Sequence, residues 1–146
     1  MVQKTVQSRQ IGQTYGTGYE IGARRTFSLS TQAAWELLTS EEGLQLWLGD
    51  VPQLQLEPGL PYQARDGAEG TIGVVYPLDH LRLTWRPPDW QRASTIQVRL
   101  IPHGAKTVIA FHQEQLPGGR EREEMYRRWQ AALDGLEMLA GEKNDS

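Results

Sequence analysis

The sequence predicts an α+β fold in which a curved, seven-stranded antiparallel sheet surrounds a long C-terminal helix, with two short helices after the first strand. Three observations lead to this prediction. Two capped helical segments follow the first strand, short apolar runs separated by turn residues fill the middle of the chain, and a long amphipathic segment ends it. A single sheet has one apolar face to cover, and the three helices supply that cover.

The composition narrows the classes of protein to which the chain can belong. Its 146 residues fit one compact domain, and its net charge of -3 argues against a general binder of nucleic acid. The absence of cysteine excludes a disulfide framework and a thiolate zinc site. No apolar run approaches the roughly 20 residues that a membrane-spanning helix needs, and the N-terminus lacks the apolar stretch of a signal peptide. We therefore expect a cytoplasmic protein without a membrane span.

The first third of the chain is predicted to hold a flexible arm over residues 1–18, a strand over 19–29 and two short helices. The strand is indicated by alternating apolar residues near its end. Ser30 and Ser40 each precede a helical pattern, and a serine in that position accepts a hydrogen bond from the first turn of a helix. Gly49 is predicted to end the second helix.

The central region alternates short apolar runs with turn residues such as Pro58-Gly59 and Asp66-Gly67, which is typical of an antiparallel meander. Its connections are too short for the crossovers that parallel strands require. The sequence predicts six strands here, over residues 51–57, 60–65, 71–76, 81–86, 93–101 and 107–115.

The last element is predicted to be a long helix with one apolar face and one charged face. The apolar face consists of Met125, Trp129, Leu133, Leu136 and Ala140. On the charged face, Glu123 with Arg127 and Glu124 with Arg128 have the spacing of stabilising i,i+4 ion pairs. Residues 141–146 are predicted to fray.

Three motifs give the chain a family resemblance. A first helix containing Trp35 and a second helix ending in Trp47-Leu48-Gly49 are followed by a strand with the pattern Pro-x-x-x-Leu-x-x-Thr-Trp, from Pro77 to Trp85. This combination resembles the START-like (SRPBCC) superfamily, and more narrowly the C-terminal-type domain of the branch named after the activator of the ninety-kilodalton heat-shock-protein ATPase. The resemblance covers residues 19–140 and implies a helix-grip fold.

The resemblance also implies a ligand cavity between the sheet and the last helix. Strand parity and the inner face of that helix select the residues that would line it, because alternate residues of a strand share one face. Their large aromatic and aliphatic side chains suit an apolar ligand. The predicted ligand-binding residues are Trp47, Leu48, Tyr62, Leu83, Trp85, Val98, Phe111, Tyr126, Trp129 and Leu133. The alternative interpretation is that the same side chains simply fill the interior.

Arg25 is the candidate polar anchor for a ligand. It shares the parity of Phe27 and Leu29, so its guanidinium is placed to meet a ligand carboxylate through two hydrogen bonds. The alternative is that Arg25 lies at an edge of the sheet with its charge in water.

No catalytic or metal-binding residues are predicted. None of His80, His103 and His112 is within helical spacing of another or is expected beside a carboxylate that would orient it, as a metal site or a catalytic triad would require. The glycines form no dinucleotide-binding or phosphate-binding motif. No cofactor is therefore expected.

The residues favour a binding protein that holds an apolar or aromatic small molecule by burial and by one or two polar anchors. The resemblance implies a second possibility, a cochaperone-like module that modulates a heat-shock ATPase in the stress response, with a chaperone as its partner. A third is an enzyme of the cyclase or aromatase type. That chemistry would require a polar cavity, whereas the sequence offers mostly hydrocarbon.

Overall fold

A computed structural model of the chain describes residues 13–14 and 18–145. It shows an α+β fold with an open antiparallel sheet and a long C-terminal helix, as the sequence predicts. The helices are α1 (Thr31–Thr39), α2 (Glu41–Trp47) and α3 (Gly119–Asp145). The strands are β1 (Gln13–Thr14), β2 (Gly18–Phe27), β3 (Pro61–Gln63), β4 (Glu69–Tyr76), β5 (His80–Trp85), β6 (Ser94–His103) and β7 (Lys106–Leu116).

The predicted number of seven full strands is wrong for the described part of the chain, where six strands have three residues or more. The predicted strand over residues 51–57 is replaced by turns and irregular backbone. Pro52 lacks the N–H that a strand ladder uses, and Gln53 adopts a left-handed backbone with φ 55°. The two-residue β1 extends the edge of the sheet by pairing with β2.

The strands lie in the order β1, β2, β7, β6, β5, β4, β3, and every neighbouring pair is antiparallel. In β5, Leu81, Leu83 and Trp85 are buried while the residues between them are more exposed, which confirms the predicted parity. The register of β4 shifts between Ile72 and Val74, and a bulge of this kind increases the local twist of a sheet. The buried face of the sheet is covered by the helices, with α3 packed on β2 and β7.

The two short helices meet at one shared residue. The side chain of Ser30 accepts from Ala33 N at 3.1 Å, so the first predicted cap is confirmed. Ser40 ends α1 and caps α2: its hydroxyl donates to Leu37 O at 2.8 Å and accepts from Gly43 N at 3.0 Å. A Cβ on Gly43 would lie 1.9 Å from Leu37 O, so this approach requires glycine.

The charged face of α3 is arranged differently from the prediction. Neither Glu123 with Arg127 nor Glu124 with Arg128 forms an ion pair in the described structure, and Glu123 contacts Arg122 at 3.2 Å. Arg128 turns inward because it lies at the border of the apolar face, one position before the fully buried Trp129.

Most of the predicted arm, residues 1–12 and 15–17, lies outside the described residues. The helix α3 runs to Asp145, and fraying of residues 141–146 stays a prediction. None of the helices within residues 18–145 combines the length and the apolar character that a bilayer crossing requires.

Candidate functional site

Three aromatic side chains form the centre of the interior between the sheet and α3. Phe111 and Trp129 stack with their ring centroids 4.5 Å apart, and Trp47 packs against Phe111 at 5.9 Å. The indole N–H of Trp47 donates to Leu38 O at 2.9 Å. These three rings pack against one another. The indole N–H groups of Trp47 and Trp129 both have acceptors within the protein.

A chain of buried hydrogen bonds runs from α3 into the sheet. Trp129 Nε1 donates to Gln113 Oε1 at 3.0 Å, Gln113 Nε2 donates to Ser94 Oγ at 2.9 Å, and Ser94 Oγ donates to Trp85 O at 2.8 Å. The sequence did not predict a role for Gln113 or Ser94. The parity of Gln113 with Phe111 was the available signal, since it places an amide on the buried face of β7.

Trp85 stands apart from the other buried polar groups. It is only 4% exposed. Among the buried side-chain nitrogen and oxygen atoms of the described residues, its Nε1 is the one that has no hydrogen-bond partner. The guanidinium of Arg128 lies over its ring, 4.8 Å from the centroid, and Trp90 packs edge-on at 5.3 Å. Buried N–H groups are nearly always paired, so this indole marks an exceptional place in the interior.

The positive charge of Arg128 is only weakly balanced by neighbouring protein groups. Its Nη2 donates to Leu48 O over a long 3.4 Å, and it forms no ion pair with a carboxylate among the described residues. Burial lowers the pKa of Arg128, while the negative charge of Asp66 acts in the opposite direction without reversing the shift. A half-buried guanidinium therefore lies beside the unpartnered indole of Trp85.

Tyr62 borders the same region. Its hydroxyl donates to Thr84 O at 2.5 Å after crossing Gly70, where an added Cβ would lie 2.6 Å from Tyr62 Oη. Burial raises the pKa of Tyr62 far above its usual 10.0, with the charge of Arg128 opposing this change. The hydroxyl is thus a neutral donor that already binds the sheet. We call Leu48, Tyr62, Trp85 and Arg128 the Trp85 corner.

The structure brings together nine of the ten predicted ligand-binding residues. All nine are buried, and only Tyr126, which is 44% exposed, lies outside the interior. Tyr126 follows Met125 by one position, and one residue turns the side chain about 100° away from the apolar face of a helix. Burial is expected both of a ligand site and of a packed core, so the ligand role of the nine stays a prediction.

Arg25 binds protein groups on α3. Its Nη1 donates to Asp134 Oδ1 at 2.5 Å and to Glu137 Oε1 at 2.9 Å, and its Nη2 donates to Gln130 Oε1 at 3.0 Å. The hydrogen bond to Asp134 contributes most to raising the pKa of Arg25. Arg25 therefore links β2 to α3, and its predicted role as a ligand anchor stays untested.

Two histidines lie beside carboxylates, so the expectation that none would do so is wrong. His80 Nδ1 is 2.5 Å from Asp79 Oδ2, its neighbour in the chain, and His112 Nε2 is 2.7 Å from Glu20 Oε1 across the β2–β7 pair. Within the described residues, no group of three or more histidine, cysteine and acidic side chains is arranged to hold a metal ion.

The described surface includes open grooves with volumes of about 600, 260 and 140 Å³. The first is on the outer side of the sheet beside the Glu69–Arg86 ion pair, and the second lies between β3 and the irregular segment that precedes it. None of the three is lined by a residue of α3. Tyr62 lines both larger grooves and is also part of the Trp85 corner.

The sequence matches the family model of Activator of Hsp90 ATPase homolog 1-like proteins over residues 28–141. The chain belongs to this family. The match covers both short helices, the strands from β3 to β7 and most of α3. A search of curated proteins found no match.

Several solved structures share the fold of this chain. CalU16 from Micromonospora echinospora aligns with a TM-score of 0.74 and 21% identity, over 84% of this chain and 78% of its own. Protein CV1439 from Chromobacterium violaceum aligns with a TM-score of 0.69 and 21% identity, over 83% and 96%. PFC0360w, described as an HSP90 activator from Plasmodium falciparum, aligns with a TM-score of 0.72 and 18% identity, over 85% and 97%. These similarities, all below 25% identity, show the fold of the chain.

Proposed function

We propose that this domain binds a small apolar or aromatic molecule at the Trp85 corner. The observation that supports the proposal is the unpartnered Nε1 of Trp85. Burying an N–H group without an acceptor costs about 1–3 kcal/mol, and a bound molecule with an oxygen at this position would remove that cost. At the Trp85 corner, the polar groups of Arg128 and Tyr62 lie close to apolar side chains.

The apolar part of the molecule would pack on the buried side chains predicted from the sequence. Leu83 lies on the same face of β5 as Trp85, and Val98 lies on the next strand. Trp90 covers the edge of the Trp85 ring and is only partly buried. We expect Trp90 to move when a molecule binds, because it is the aromatic cover nearest to solvent.

The experiment is a calorimetric titration with 1-naphthamide and with decanamide, two uncharged molecules that carry a carbonyl acceptor on an aromatic or an aliphatic body. We expect saturable binding of one molecule per chain, with a Kd of roughly 1–100 μM for the better ligand. Trp85→Phe keeps an aromatic ring but removes the N–H, so it should weaken binding several-fold.

Trp35→Phe is the matched control, since Trp35 is partly buried on α1. It should leave the affinity unchanged. The proposal fails when neither these amides nor the corresponding carboxylates, 1-naphthoate and decanoate, show saturable binding up to their solubility limits. It also fails when Trp85→Phe binds as tightly as the unmodified protein, because the indole N–H would then have no part in recognition.

A second candidate function is the modulation of a heat-shock ATPase, in the cytoplasm and as part of the stress response. The observation that favours it is the alignment with the Plasmodium falciparum HSP90 activator, which covers 97% of that chain. This domain therefore matches that solved chain over nearly its whole length. The test measures ATP turnover by the ninety-kilodalton heat-shock ATPase from the organism of the present chain. Stimulation supports this candidate, and unchanged turnover at a saturating concentration of the domain removes it.

A further inference from the structure

The charge environment of Arg128 differs from that of the other arginines in the described structure that lack a carboxylate contact. Arg24, Arg82, Arg92 and Arg127 are exposed, so water can solvate their guanidinium groups. Arg128 is half-buried, and one face of its guanidinium is covered by the Trp85 ring. The long contact with Leu48 O is a weak substitute for the hydration that this group loses.

We infer that the molecule bound at the Trp85 corner carries one negative charge on a carboxylate, and that Arg128 binds this carboxylate. The inference rests on the proposed function and specifies the class of ligand. A guanidinium that stacks on an aromatic ring keeps its edge N–H groups directed sideways, and two of them match the two oxygens of a carboxylate. The indole N–H of Trp85, on the ring that the guanidinium covers, is a further donor without a partner among the described residues.

The surrounding charges limit the ligand to a single negative charge. Asp66 already acts on Arg128 with its own negative charge and raises its pKa against the effect of burial. A phosphate monoester, with nearly two negative charges at neutral pH, would meet this repulsion with only one half-buried cation to balance it. An apolar or aromatic monocarboxylate matches both the positive charge of Arg128 and the apolar side chains of the Trp85 corner.

The test compares matched pairs that differ in charge and little in shape: 1-naphthoate with 1-naphthamide, and decanoate with decanamide. Calorimetric titration at neutral pH should give a Kd roughly ten- to a hundredfold lower for the acid of at least one pair. Arg128→Met keeps much of the side-chain length without the charge and should make the Kd values of that pair equal.

Arg127→Met is the matched control, because it removes one exposed charge from the same turn of α3. It should preserve the preference for the acid. Arg128→Lys keeps the charge but not the two-donor geometry, and it should retain only part of the preference.

Each remaining outcome has a distinct meaning. Equal affinities for acid and amide in the unmodified protein overturn the inference and leave the proposed function standing. Absence of binding by all four molecules overturns the proposed function and the inference with it. A preference that persists in Arg128→Met assigns the carboxylate to another group and overturns the inference. The comparison within the unmodified protein needs no variant, so it decides the question even where Arg128→Met fails to fold.

Discussion

Two tryptophans and two arginines occupy comparable positions between the sheet and α3, yet their surroundings differ. Trp129 donates to Gln113 Oε1, and Arg25 reaches three acceptors on α3. In the described part of the chain, Trp85 has no acceptor for its N–H, and Arg128 has one long bond to a backbone oxygen. The first pair has the bonding expected of groups that hold a fold together. The second pair has unused bonding capacity, as is expected of groups that meet a ligand.

Removing the N–H of each tryptophan tests this comparison most strongly. Trp129→Phe leaves Gln113 Oε1 buried without its donor and also opens a small cavity, so it should lower the free energy of unfolding by about 3 kcal/mol. Trp85→Phe deletes a group that has no partner and should cost only about 1 kcal/mol for lost volume. Urea unfolding measures both values. Equal costs would contradict the difference between the two sites.

Replacing each arginine by methionine gives the next largest effect. Arg25→Met removes the link from β2 to α3 and should cost about 1 kcal/mol, a modest value because Asp134 and Glu137 are largely exposed. Arg128→Met removes a half-buried charge without an ion pair, so stability should stay the same or increase slightly. Thermal and urea unfolding check both, with Arg127→Met as the exposed control. A greater loss for Arg128→Met than for Arg25→Met would reverse the comparison.

Tyr62 sharpens the comparison with a smaller, pH-dependent effect. Its raised pKa means that the unfolded chain ionises this tyrosine from about pH 10 while the folded chain keeps it protonated. The contribution to stability is therefore complete below about pH 10 and is lost as the pH rises further. Tyr62→Phe should lose about 1 kcal/mol or less at neutral pH, for the bond to Thr84 O, and should be less sensitive to alkali.

Urea unfolding at about pH 9 and about pH 11 measures this sensitivity. Tyr126→Phe removes an exposed hydroxyl and should not change the stability at neutral pH. A Tyr62→Phe variant that loses stability with rising pH as steeply as the unmodified protein would show that Tyr62 is not the group responsible.

Local and periodic features of this chain could be predicted from its sequence. The caps at Ser30 and Ser40 depend only on nearby residues, and both are confirmed. The buried parity of β5 and the apolar face of α3 follow from the periods of a strand and a helix. The strand predicted over residues 51–57 is wrong because the apolar residues there are partly buried within an irregular segment. Composition alone does not distinguish such a segment from a strand.

The features of the candidate site that depend on distant partners could not be predicted. Arg25 was placed on the correct face, but its acceptors are more than 100 residues away in the chain. Arg128 was predicted on the charged face of α3. Its position in the helical period lies at the border between the apolar face and the charged face, so the period alone does not decide where its side chain goes. That Trp85 lacks an acceptor depends on where every neighbouring oxygen lies in three dimensions.

The shared cap at Ser40 has a consequence for how the interior opens. We expect α1 and α2 to move as one unit. Separating them would break both hydrogen bonds of the Ser40 hydroxyl and disturb the close contact at Gly43. A lid made by these helices would therefore open slowly. The segment over residues 49–60 contains no helix or strand, so we expect it to open locally more easily than this helix pair.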